Sequence, residues 1–268
     1  HGIYTVLNLV ESREVDSLKE FAVVLGVDET IRNLVLSDFT AGLRDTYSLS
    51  LKENFQSKDL ALWFERAFVP SLESADASFA LAESSQLLQL DADLTGTDQV
   101  ITVDSADVRV LRTFVNILGA VASIQSAYDW NLKVADVKAL DDQFLLFEND
   151  EQILSSAVTV EKIRSMNQSF GAIRNPQMLE KAEKFLRTAI SSYSLASPVL
   201  RSSGRIGHGN RLFSLLSDEL DEEAEFLDAL KKLQSALDGN YRLGDNSGSG
   251  DLLSLRSFFS GKVDMSAL

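Results

Sequence analysis

The sequence predicts an all-α protein, an irregular multi-helix bundle around a long buried central helix over residues 104–128, with a small β-hairpin near residues 88–103. Three observations carry this. Only 3 of the 268 residues are Pro, while Leu and Ala, both good helix formers, recur throughout. Apolar residues return at the helical period in most segments. One stretch, LQLDADLTGTDQVITVD, breaks that period and places strand-forming residues on both sides of a Gly-containing turn. At 45% hydrophobic and 24% charged, the chain has ample apolar material for a core. It reads as a single helical domain over residues 1–268, a fragment of a longer protein, since it begins His1-Gly2 without an initiator Met.

The elements follow in order. Residues 3–10 are apolar and read as the end of a helix begun upstream. Val15, Leu18, Phe21, Ala22 and Leu25 share a helical face, and Gly26 stops that helix. Asp28 caps a short helix through residue 36. Leu60, Trp63, Phe64 and Ala67 form the next apolar stripe. Pro70 breaks or restarts the helix, and Leu72, Ala75, Phe79 and Ala82 continue the period.

Asp104 or Ser105 caps the dominant element, which runs to about Tyr128. Val108, Leu111, Val115, Leu118, Ala122 and Ile124 line one face, and Val110, Phe114, Ile117 and Val121 a neighbouring one. Apolar character over so much of the circumference predicts a central, buried helix. At about 1.5 Å per residue it spans roughly 36 Å. On that expectation Leu118→Ala costs about 2–5 kcal/mol. Residues 134–147 and 160–170 read as helices too. Pro176 opens another, with Leu179, Ala182, Phe185, Leu186, Ala189, Ile190 and Tyr193 in phase and Pro198 at its end. SSGRIGHGN is a loop. A helix over 218–237 carries acids at its positive end, with Lys231 and Lys232 toward the other and Gly239 as a cap. DNSGSGD is a second loop, and residues 252–259 form a last short helix. Unequal helix lengths and no regular repeat argue against a uniform solenoid.

Forty acidic against 25 basic residues give a formal net charge of −15. Such a surface repels phosphate backbones, so nucleic acid is not an expected partner, and anionic lipid is disfavoured. No uninterrupted apolar run approaches the roughly 20 residues of a membrane span, because Arg109, Arg112 and Asn116 interrupt the longest stretch. The absence of Cys excludes thiol chemistry within this chain.

Chemistry-bearing residues are sparse. The two histidines are His1 and His208, so a Ser-His-Asp triad would have to use His208, and no G-x-S-x-G elbow accompanies it. Gly204, Gly207 and Gly209 with Arg205 and Arg211 have a composition able to bind an anion, without phosphate-loop spacing. Asp91, Asp93 and Asp98 around Gly96 resemble the first half of a calcium loop, but Thr102 stands where its bidentate Glu belongs. These three are the candidate metal ligands, with calcium the candidate cofactor; Asp245 and Asp251 are a second, looser set. Asp141, Asp142, Glu148, Asp150 and Glu151 read as solvated helix ends rather than a hydrolytic pair, and Trp63, Tyr128 and Trp130 as core rather than a sugar platform.

Three segments carry a family resemblance: Pro70-Ser71-Leu72 with Ala75 and Asp76; Val103-Asp104-Ser105-Ala106-Asp107-Val108 leading to Ala127-Tyr128-Asp129-Trp130-Asn131-Leu132; and Leu255-Arg256-Ser257-Phe258-Phe259-Ser260. In these the chain resembles large bacterial exported proteins and lipoproteins of uncharacterised function, which carry tetratricopeptide-like helices near the N-terminus. The likeness runs from about Ile3 to Leu268, with residues 3–10 standing for the last repeat-like helix. The preceding repeats are missing here, which leaves repeat-mediated binding without a basis in this chain. The resemblance implies an exported, extracytoplasmic helical protein and transfers no catalytic residue. The resulting expectation is a non-enzymatic interaction or structural module with a protein partner. The alternatives are a carboxylate-based hydrolase or sugar-binding protein, and a calcium-stabilised extracellular module.

Overall fold

The computed structural model describes residues 57–84, 88–91, 100–131, 163–202, 204–207, 210–240 and 255–263. The expected elements over 3–10, 15–25, 28–36 and 134–147 lie outside these residues. The described part is mostly helical, with one two-stranded sheet.

Helix α1 (Ser57–Trp63) runs through a π-helical turn, Phe64–Phe68, into α2 (Val69–Ala82). The Val69 N–H donates to the Phe64 carbonyl, five residues back. Pro70 has no N–H, and its ring crowds the carbonyl one turn behind it. The wider π turn just before it relieves that crowding. The helix therefore restarts as α2 with Pro70 in its first turn, the second of the two outcomes expected there.

Strands β1 (Leu88–Leu90) and β2 (Ile101–Val103) pair antiparallel with Leu88 opposite Val103, forming the expected hairpin. Directly after β2, Asp104 caps α3 (Ser105–Ala127). Its Oδ1 accepts the N–H groups of Ala106 at 2.9 Å and Asp107 at 3.2 Å. Asp107 Oδ2 accepts the Asp104 N–H at 2.9 Å, completing a reciprocal capping box.

Helix α4 (Pro176–Leu200) begins with the Asn175 side chain accepting the Gln177 N–H at 3.2 Å. It does not end at Pro198, as expected, but runs two residues further. Pro198 makes no N–H bond of its own, and the Arg201 N–H closes the end on the Ser197 and Val199 carbonyls. The helix expected over 160–170 is a helical stretch at 163–166, followed by turns to Gly171 at φ +82°. A 3₁₀ turn (Ser217–Glu219) leads into α5 (Leu220–Leu237), which Gly239 terminates at φ +80°. Helix α6 (Leu255–Phe259) is the last described element.

Helix α3 packs chiefly on α4 and next on α2. Ala106 and Val110 cluster with Ala196 and Leu200, Gly119 faces Phe185, and Ala127 meets Asn175, so α3 and α4 run antiparallel. A Cβ on Gly119 would lie 2.7 Å from the Phe185 ring, so only glycine allows this closeness. Leu72, Phe79, Val115, Leu179, Phe185, Tyr128, Leu237 and Phe259 belong to one buried cluster. The α2–α3 contact is polar as well. Arg112 pairs with Asp76 at 2.6 Å and Glu83 at 2.8 Å, and Asn116, 1% exposed, donates to Asp76 at 2.6 Å.

One expectation is corrected here. Helix α3 is not buried on all sides: Phe114, Ile117, Leu118 and Val121 are 54%, 39%, 47% and 54% exposed. Among the described residues, neighbours cover the flanks that hold Val115, Asn116, Ala120 and Ser123 and leave this stripe open.

Candidate functional site

Among the described residues, the open stripe on α3 is a conspicuous surface feature. Phe114, Ile117, Leu118 and Val121 follow the i, i+3, i+4, i+7 spacing of a single helix face. From Thr113 through Tyr128 the sequence holds no charged residue, although the chain as a whole carries −15. Scattered apolar residues on a surface are ordinary, whereas a contiguous uncharged stripe is a candidate contact face. By length and composition α3 would also suffice to cross a membrane; in this fold its other faces carry α2 and α4.

At its N-terminal end the stripe abuts a clamp. The Phe114 ring lies 6.2 Å from that of Phe213. Phe213 and Leu215 pack on Ala106, Val110, Ala196 and Leu200. What holds this segment down is Arg205, 3% exposed. Its Nη1 donates to Asp104 Oδ2 and its Nη2 to Asp107 Oδ1. Nε and Nη2 also donate to the Phe213 carbonyl at 3.1 and 2.9 Å. Asp107, fully buried, accepts the Phe213 N–H at 3.0 Å, and Arg211 adds a pairing with Asp104 at 3.3 Å. The Thr102 N–H donates to the Asn210 carbonyl at 2.8 Å, tying the same segment to β2.

The two carboxyls respond differently. Burial pulls Asp104 upward, but the N–H groups of Asp107 and Ala106 and the guanidiniums of Arg205 and Arg211 outweigh it, holding the carboxyl below the usual aspartate range. For Asp107 burial prevails and pushes it above that range, against the N–H groups of Asp104 and Phe213 and the charge of Arg205.

A cleft of about 510 Å³ opens between the end of α2, α3 and α4, lined in part by Glu83, Arg112, Glu183, Arg187, Ser192 and Leu195. Both guanidiniums there are engaged internally. Arg112 holds α2, and Arg187 pairs with Glu183 at 2.8 Å and Asp238 at 2.6 Å, joining α4 to the end of α5. Among the described residues no aromatic side chain lines this cleft. Tyr128 is fully buried, Trp130 packs against the core, and Trp63 stacks on Phe68 at 5.1 Å.

Of the calcium candidates, Asp91 is exposed and follows β1. Asp93 and Asp98 lie outside the described residues, as do His208, Asp245 and Asp251. Among the described residues no three His, Cys, Asp or Glu side chains are placed to hold a metal ion. The glycine-rich loop brings Arg205 to internal carboxylates rather than to an open anion site. That pairing spans about a hundred positions, and no local pattern announces it. Asp104 was legible as a helix cap, which it also is; the part Asp107 plays in that cap and in the ion pair was not read from the sequence.

The chain matches no known protein family, no characterised protein and no solved structure.

Proposed function

We propose that the chain is a non-enzymatic helical interaction module, an irregular bundle organised around α3, which docks a partner protein along the stripe of Phe114, Ile117, Leu118 and Val121. The exposure of that uncharged stripe carries the reading. Its width suits one amphipathic helix of a partner, which would seat its own apolar residues between these four. The resemblance to exported bacterial proteins supports an extracytoplasmic, envelope-associated setting. The strongly acidic remainder would discourage non-specific contact with anionic surfaces and leave the stripe as the favoured point of approach.

The test is a photo-crosslinking residue placed at Leu118 in the intact chain, produced in its native cell, with Glu180 as the control position. The expected result is one discrete adduct with a second protein from position 118 and none from 180. The adduct should disappear when Ile117→Asp and Val121→Asp are added to a chain that still melts cooperatively. Cross-links confined to the chain itself, or equal labelling from both positions, would overturn the reading.

A further inference from the structure

We draw no further inference here: the strongest candidate, the unpartnered apolar stripe of Phe114, Ile117, Leu118 and Val121 along α3, carries no occupant beyond the partner protein proposed above, because nothing in the structure shows what covers it.

Discussion

Replacing Gly119 by Ala sets two physical effects against each other. In the middle of a helix, alanine is favoured over glycine by about 1 kcal/mol. On propensity alone G119A should stabilise the protein. The structure predicts the opposite sign. The added Cβ would meet Phe185 Cδ1 and Cε1 at 2.7 Å and Cζ at 2.8 Å. Phe185 is only 5% exposed, so its ring cannot swing into solvent. Forcing an extra methyl into a packed site costs about 1–3 kcal/mol. The net expectation is a loss of up to about 2 kcal/mol, or a fall in melting temperature of up to about 8 °C for a domain of this size. Urea denaturation followed by circular dichroism measures it. Phe185→Leu should relieve the clash, so G119A should cost less in that background, with a coupling near 1 kcal/mol in the double-mutant cycle. A G119A protein more stable than the parent would refute the close α3–α4 crossing. Additive effects of the two substitutions would refute Phe185 as the cause.

The remaining expectations use the same denaturation assay. Arg205→Met should cost about 3–5 kcal/mol, because it leaves Asp107 buried without its cation. Adding D104N and D107N should recover much of that, and a loss under about 1 kcal/mol from R205M alone would mean the clamp is not formed. Leu179→Ala, at a fully buried position, should cost about 2–5 kcal/mol, while Leu118→Ala should cost less than about 1 kcal/mol, and equal losses would contradict the open stripe. Asp104→Asn keeps a competent helix cap but removes the charge. Because the folded-state pKa of Asp104 is depressed, its ionised form stabilises the fold above the ordinary aspartate range. That contribution fades as pH falls through the folded value. D104N should therefore be clearly less stable than the parent at neutral pH, with the gap closing as pH falls below the ordinary aspartate range and through the depressed folded value; a gap that stays constant into acid would count against the ion pairs to Arg205 and Arg211.

Much of the helical architecture was readable because its signals are local. Asp104 caps α3, Pro176 opens α4, and Gly239 closes α5, each through groups within a turn of the position concerned. The hairpin was visible because the LQL and ITV segments change the apolar period. The misreadings have one physical origin. Periodicity tells which residues share a face, not whether another element covers it. Leu118 and Val115 look alike in the sequence, yet Val115 is 7% exposed and Leu118 is 47% exposed. Likewise the charges that secure the fold pair at long range, as Arg205 does with Asp107 and Arg112 with Asp76. Pro70 restarts the helix in the first turn of α2, one of the two outcomes read there, whereas Pro198 placed the end of α4 two residues early.

The stripe also limits how tightly a partner can hold. Its four side chains are each about half exposed. Burying an apolar side chain completely is worth about 1.5–3 kcal/mol, so covering what remains of all four yields about 3–6 kcal/mol. Association alone costs an estimated 4–15 kcal/mol in lost freedom. At the most favourable end of these ranges about 2 kcal/mol is left, so the stripe by itself would give binding no tighter than the tens of millimolar. A stable complex needs either contacts reaching beyond α3, where Leu216 is 51% exposed, or a partner held close by a tether that raises its effective concentration. An isolated helical peptide complementary to the stripe should accordingly bind weakly in a fluorescence-anisotropy titration. Val121→Asp should abolish what binding there is, whereas nanomolar affinity for such a peptide would show that the interface extends well past these four residues.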